Sequence, residues 1–397
     1  MRVVSVETLR PKFQPNLCVV RLTTEDGSIG LGEAFFQAPA VDAYLHSYVA
    51  PLLFSMESVN PESAAMALVP YVGFQGGGVE QRGNGAVDFA LWDLLGKATG
   101  VSVARLLGGP VRTSVRAYNT CAGSGYVGSN SGQRSANWGT EREGRFEDLH
   151  GFLTDSGALA RDLLQSGITG MKIWPFDTAA ERSNGTEISR TELASALRIV
   201  GGIRDAVGSD MDIMIEMHGL WNAPAAISII RSLQPFEPFW IEDPIRPDAT
   251  DGLKRIREAT TATIATGETI VGRRGFRPLL DGGLVDVVTV DTQWTGGLTE
   301  ARKVASMADG YGIPIAPHDC TGPISLAACT HLSLSQPNGF LQETTRAFIN
   351  TWYAEVIEGG PTLERGQVTI DEAPGLGVSL VAGFDTRSDV IARATLA

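Results

Sequence analysis

Between residues 113 and 366, short apolar runs alternate with longer amphipathic stretches. The runs are Val115–Asn119, Gly170–Trp174, Asp212–Met217, Phe239–Glu242, Thr263–Thr266, Val285–Asp291, Ile313–Pro317 and Phe340–Glu343. Each is strand-sized, and each connection is long enough to hold the crossover that parallel strands require. One connection begins Ser189-Arg190-Thr191-Glu192, a capping box, and continues with Leu193, Leu197 and Val200 on one face. Eight such runs predict a closed parallel (β/α) barrel. A doubly wound open sheet is the alternative. It is weakened because no Gly-x-Gly-x-x-Gly follows a strand.

Residues 1–112 read differently. Cys18 to Thr24 is apolar with some alternation, Glu25-Asp26-Gly27 marks a hairpin turn, and the pattern becomes helical from about 40 to 100. Val87, Leu91, Leu94 and Ala98 form one stripe that stops at Gly100. This predicts an α+β domain over 1–112 ahead of the barrel domain, 113–366. Residues 367–397 return to strand and turn and are expected to pack on the first domain. Residues 122–145 are rich in Gly, Ser and Asn and follow the first barrel strand, so they should lie at its C-terminal, active-site face.

Net charge is −13, which excludes the electrostatic footprint of a nucleic-acid binder. No apolar run is long enough to span a membrane, and the N-terminus shows no secretory signal pattern. Four cysteines without Cys-x-x-Cys spacing read as reduced thiols in a cytoplasmic protein.

Functional residues of a barrel gather at the C-terminal ends of its strands. In order these are Lys172, Glu216, Glu242, Glu268, Asp291, His318 and Glu343. Glu216, Glu242 and Glu268 recur at one interval, one βα unit each, so each neighbouring strand is expected to offer a carboxylate at the same height. Three converging carboxylates repel unless a hard cation sits among them. Mg²⁺ suits such oxygen ligands and leaves positions for substrate and water. Asp291 and His318 end successive strands, and a carboxylate on one ring nitrogen raises the basicity of the other. The expectation for His46, His150 and His331 is a structural role.

Several segments resemble the enolase superfamily, in its mandelate racemase-like branch. They are Ala90-Leu91-Trp92-Asp93-Leu94-Leu95-Gly96-Lys97 with Leu106-Leu107-Gly108-Gly109, Ile215-Glu216-Met217-His218-Gly219, Trp240-Ile241-Glu242-Asp243-Pro244, Thr266-Gly267-Glu268, Asp291 with Gly296-Gly297-Leu298-Thr299-Glu300, and Ala316-Pro317-His318. Order and spacing together carry the resemblance over nearly the whole chain. It implies a modified (β/α)₇β barrel under an α+β cap completed by the C-terminal tail. It also implies one Mg²⁺ per subunit, a homo-oligomer, and removal of the proton α to a carboxylate to give an enolate.

On that resemblance His318 is the base and Asp291 its orienter. The family often carries Lys-x-Lys where this chain reads Lys172-Ile173-Trp174, so the second base is replaced by an indole. Lys172 is left to support the substrate carboxylate. Glu216-Met217-His218-Gly219 resembles acid-sugar dehydratases, in which such a histidine protonates the leaving hydroxyl. Two residues apart on one strand, Glu216 and His218 should face the same side. Glu343 resembles the carboxylate of the last strand. Tyr118, Asn119 and Trp174 are expected to contact substrate; Trp221 and the segment 10–16 are expected to shape the distal pocket. The function implied is a hydro-lyase acting on an aldonate or aldarate. Lactone cycloisomerisation, racemisation and non-catalytic sugar-acid binding are the alternatives.

Overall fold

The computed structural model describes residues 1–69 and 77–397. Strands β1 (Val3–Pro11), β2 (Leu17–Thr24) and β3 (Ile29–Phe35) form an antiparallel meander, with Gly27 at φ 82 in the turn between β2 and β3. The helix Val79–Thr99 lies across it. Gly30 and Gly32, two apart and so on one face of β3, permit this approach: a Cβ at either would collide with a helix carbonyl, of Ala90 or Ala86. Val87, Leu91 and Leu94 are buried as the stripe requires, and Gly100 ends the helix in the left-handed region at φ 72. The helical reading of 40–100 is met on both sides of residues 70–76, which lie outside the described residues.

The barrel strands β4 (Val115–Thr120), β5 (Gly170–Ile173), β6 (Asp212–Glu216), β7 (Trp240–Glu242), β8 (Ile264–Thr266) and β9 (Val287–Val288) pair in sequence, all parallel. The seventh stave is one residue, Ile315, bridged to Val288 on one side and Gly339 on the other. Strand β10 (Gln342–Thr344) pairs in parallel with β4 and closes the barrel. Seven staves are followed by helices such as Asp148–Gln165, Arg190–Val207 and Pro323–Ser335, so the architecture is (β/α)₇β. Ser189 accepts the Glu192 N–H and Glu192 accepts that of Ser189, the capping box read from sequence.

The runs Val285–Asp291 and Ile313–Pro317 thus shorten to two residues and one. At Asp291 the cause is visible: its carboxylate accepts the N–H groups of Gln293 and Trp294 and turns the chain out of the ladder. Inside the barrel, Tyr118, Met214, Trp240, Ala265, Val287, Ala316 and Leu341 fill the space beneath the strand ends.

The tail divides its pairing. Strands β11 (Ile357–Gly359) and β14 (Val378–Leu380) pair with each other, β12 (Thr362–Glu364) pairs with β13 (Gln367–Thr369), and β13 pairs with β4 of the barrel. Only β15 (Val390–Leu396) enters the N-terminal sheet, antiparallel to β1 from Ser5↔Leu396 to Pro11↔Val390. The last strand of the tail thus lies against the first domain, while its beginning lies against the barrel wall.

Candidate active site

Glu216 and Glu242 are register partners on β6 and β7. Glu268 is not on a strand; it stands two residues past the end of β8, beyond Gly267 at φ 136. The equal spacing therefore does not reflect equal height: two carboxylates rise from strand ends and the third reaches in from a turn. One oxygen from each still falls within 4.8 Å of the others. Glu216 Oε1 accepts the N–H groups of Met217 and His218, at 2.9 and 2.7 Å. Its Oε2 is buried without a hydrogen bond, with only an ion-pair contact to Lys172 at 3.3 Å. Glu242 Oε2 accepts the Trp240 indole N–H at 2.9 Å. Burial, then repulsion from Glu216, Glu343 and Glu268, pushes Glu242 well above the usual carboxylate range against the pull of Lys172. A buried unbonded anionic oxygen among converging hard donors fits a divalent cation.

Lys172 Nζ lies 3.0 Å from Glu242 and 2.9 Å from Glu343, besides its contact with Glu216. It is buried, and those carboxylates hold its ammonium charged despite the desolvation. Glu343 also accepts from the Thr120 hydroxyl and from the Asp319 N–H at 2.9 Å. Asp243, beside Glu242, sits at φ 36 and accepts from the Thr266 hydroxyl; burial and Glu268 push its carboxyl well up.

His318 Nδ1 is 2.8 Å from Asp291 Oδ2, and Nε2 is 3.2 Å from Glu268 Oε2. Burial alone favours the neutral ring, but Glu268, Glu343 and Asp291 outweigh it and raise the imidazole well above its ordinary value. His218 Nδ1 is 2.6 Å from Asp177 Oδ2. There too burial opposes the charge, and Asp177 with Glu216 overrides it, raising the ring to about 10. The strand argument for His218 fails, because β6 ends at Glu216 and His218 has φ 48. A left-handed turn, not strand alternation, brings its ring to the cavity.

The cavity above these groups is small, about 30 Å³, room for a water or two. Of the residues singled out in the sequence, Trp174, Lys172, Glu268, Glu343, His218 and His318 line it. Phe36, Thr120, Tyr126, Gln133, Trp294 and Cys320 complete it. Tyr118 and Asn119 do not reach it. On β4 the inward positions are Tyr118 and Thr120; Tyr118 lies in the layer below, edge-on to Trp240, and Asn119 points outward to Asp148 and the Arg346 N–H. Thr120, one residue on, is the one that touches Glu343. Trp221 is buried outside the lining. Of segment 10–16, Asn16 acts at a distance: its amide holds the Val127 and Asn130 carbonyls and accepts from Ser131. His46, between Thr8 and Thr395, His150, on the Thr140 carbonyl, and His331, on the Ala104 N–H, are structural. Sequence reading missed Asp177, Thr120 and Trp294. Only Asp177 carried a signal, a carboxylate three residues past Trp174. A larger cavity of about 780 Å³, around Tyr48, Met66 and Arg273, contains none of the strand-end residues.

A cap on a (β/α)₇β barrel with acid and histidine side chains at its strand ends defines an enolase-type enzyme. Residues 155–383 match the Enolase C-terminal domain-like family, and residues 3–108 match the Mandelate racemase / muconate lactonizing enzyme N-terminal domain. The chain belongs to the enolase superfamily, with mandelate racemase/muconate lactonizing enzyme-type domains. It is similar to an enolase of the mandelate racemase subgroup from Agrobacterium tumefaciens, at 41% identity and TM-score 0.88, covering 100% of this chain and 99% of that one. It is 29% identical to a D-galactonate dehydratase of Pectobacterium atrosepticum over 96% of this chain and 92% of that protein. A D-gluconate dehydratase of Thermoproteus tenax is 30% identical over 74% of this chain, spanning 54% of its own length. Among the described residues no helix is long and apolar enough to cross a membrane.

Proposed function

We propose that the enzyme dehydrates a sugar acid, an aldonate or aldarate, to its 2-keto-3-deoxy acid. The observation that carries this is a pair of cavity-facing histidines, each held by its own carboxylate, flanking the glutamate cluster. One can take the proton at C2 while the other protonates the hydroxyl leaving C3. His318, oriented by Asp291, is the base. His218 is the acid. Trp174 stands where a second base would be needed for racemisation, and an indole accepts no proton. The relatives named as galactonate and gluconate dehydratases support the same reading.

Glu216, Glu242 and Glu268 would hold the divalent cation, Mg²⁺ by their hard oxygens, which supplies positive charge for the substrate carboxylate and the enolate. Lys172 adds a fixed cation on the Glu343 side. Glu343, anchored by Thr120 and Asp319, bounds the carboxylate end of the cavity. The division into a cap (1–112), a barrel (113–366) and a tail (367–397) is part of the same proposal, and the pairing of β15 with β1 supports it.

A library of sugar acids incubated in D₂O tests the roles separately. His318→Asn should abolish deuterium exchange at C2; exchange that persists sinks the base assignment. His218→Asn should stop 2-keto acid formation while C2 exchange continues. Undiminished dehydration by that variant removes His218 from the chemistry.

A further inference from the structure

His218 is held by a residue that no strand-end pattern contains. At φ 48 it occupies a region that non-glycine residues adopt only under local constraint. Its N–H is fixed by Glu216 Oε1, its ring lies edge-on to Trp174 at 5.8 Å between centroids, and its Nδ1 meets Asp177 Oδ2. Asp177 begins the helix Asp177–Ser183 on the neighbouring βα unit and is 4% exposed. Its other oxygen, Oδ1, is buried without a partner. Among the described residues, the bond to His218 is the only one this side chain makes. Burying a carboxylate for a single partner is a poor way to gain stability, so its value lies in what it does to the ring.

We infer that Asp177 is the positioning residue for His218, as Asp291 is for His318. Accepting Nδ1–H fixes the ring plane and leaves Nε2 as the nitrogen that meets the cavity. The inference rests on the dehydration reading. In that reaction the C2–H electron pair becomes the C2=C3 bond as His318 takes the proton. The C3–O pair leaves with oxygen, Nε2 of His218 supplies a proton to form water, and the enol tautomerises to the 2-keto acid.

The test uses the full-length enzyme with Mg²⁺ and a sugar acid that the wild type dehydrates. Asp177→Asn should lower kcat for dehydration about a hundredfold or more, with KM little changed and C2 exchange continuing. Asp177→Glu, which keeps the carboxylate, should recover part of the elimination. Equal loss of exchange and elimination would mean a general structural role and overturn the inference; so would full activity of Asp177→Asn. Nitrogen-15 NMR of the wild-type imidazoles needs no variant: His218 should carry a proton on Nδ1, and a ring protonated at Nε2 alone excludes the arrangement. A wild type that exchanges the C2 proton of no sugar acid defeats the dehydration reading itself, before any variant is made.

Discussion

Single side chains at this site are decided by which neighbour they can reach. Asn119 and Thr120 are adjacent, yet one faces the helices and the other the cavity, because strand side chains alternate. A pattern reader one residue out chooses the wrong face. His331 illustrates the opposite case, in which composition was enough: an apolar helix around it leaves little but a buried structural role. Burial pushes its ring down to about 4 from the ordinary 6.5. Between those values the unfolded chain binds a proton that the folded chain does not. The stability His331 contributes is thus present above about pH 6.5 and is lost as pH falls toward 4, by about 3 kcal/mol. Urea unfolding across that range should give a smaller acid-side loss for His331→Leu than for wild type; parallel curves would mean that the ring does not titrate differently on folding.

Elements, rather than residues, govern access. The 122–145 loop was legible as an active-site loop from its position after the first barrel strand, but its attachment was not. It is tied to the first domain by Asn16, which bonds two loop carbonyls and accepts from Ser131, and by the Gln37 N–H on the Ser131 hydroxyl. These partners are over a hundred residues apart in sequence for Asn16, so no local pattern predicts them. With about 30 Å³ free beneath, a sugar acid needs more room than this structure leaves, and this loop and the Phe36 segment are among those that border the cavity. Asn16→Ala orphans the Val127 carbonyl, while the Asn130 carbonyl keeps the Asn137 amide, and should cost about 1–3 kcal/mol locally. Its expected signature is faster amide hydrogen exchange over residues 126–138, with KM raised more than kcat is lowered. Unchanged exchange there would show that the loop is held by other means.

For the whole molecule, charge balance is the controlling quantity. Lys172 faces Glu216, Glu242 and Glu343, and Glu268 leans on His318, so the centre holds more negative than positive groups. Removing divalent cations with a chelator should lower Tm and stop C2 exchange, and Mg²⁺ should restore both. A Tm indifferent to the metal would argue against the three glutamates as its ligands. Lys172→Met should make folding strongly metal-dependent, because it leaves buried carboxylates unopposed, a loss of about 3–5 kcal/mol.

Alternation of strand and helix, the spacing of the glutamates and the Asp291–His318 order were enough to determine the barrel and to mark the acid and histidine side chains gathered at its mouth, because period and strand ends are local properties of the chain. The long-range decisions came only with the tertiary structure. Glu268 enters from a turn, His218 from a strained residue held by Asp177, and β13 and β15 send one tail to two different sheets. Each depends on contacts between residues far apart in sequence, where packing and charge, not local periodicity, choose the partner.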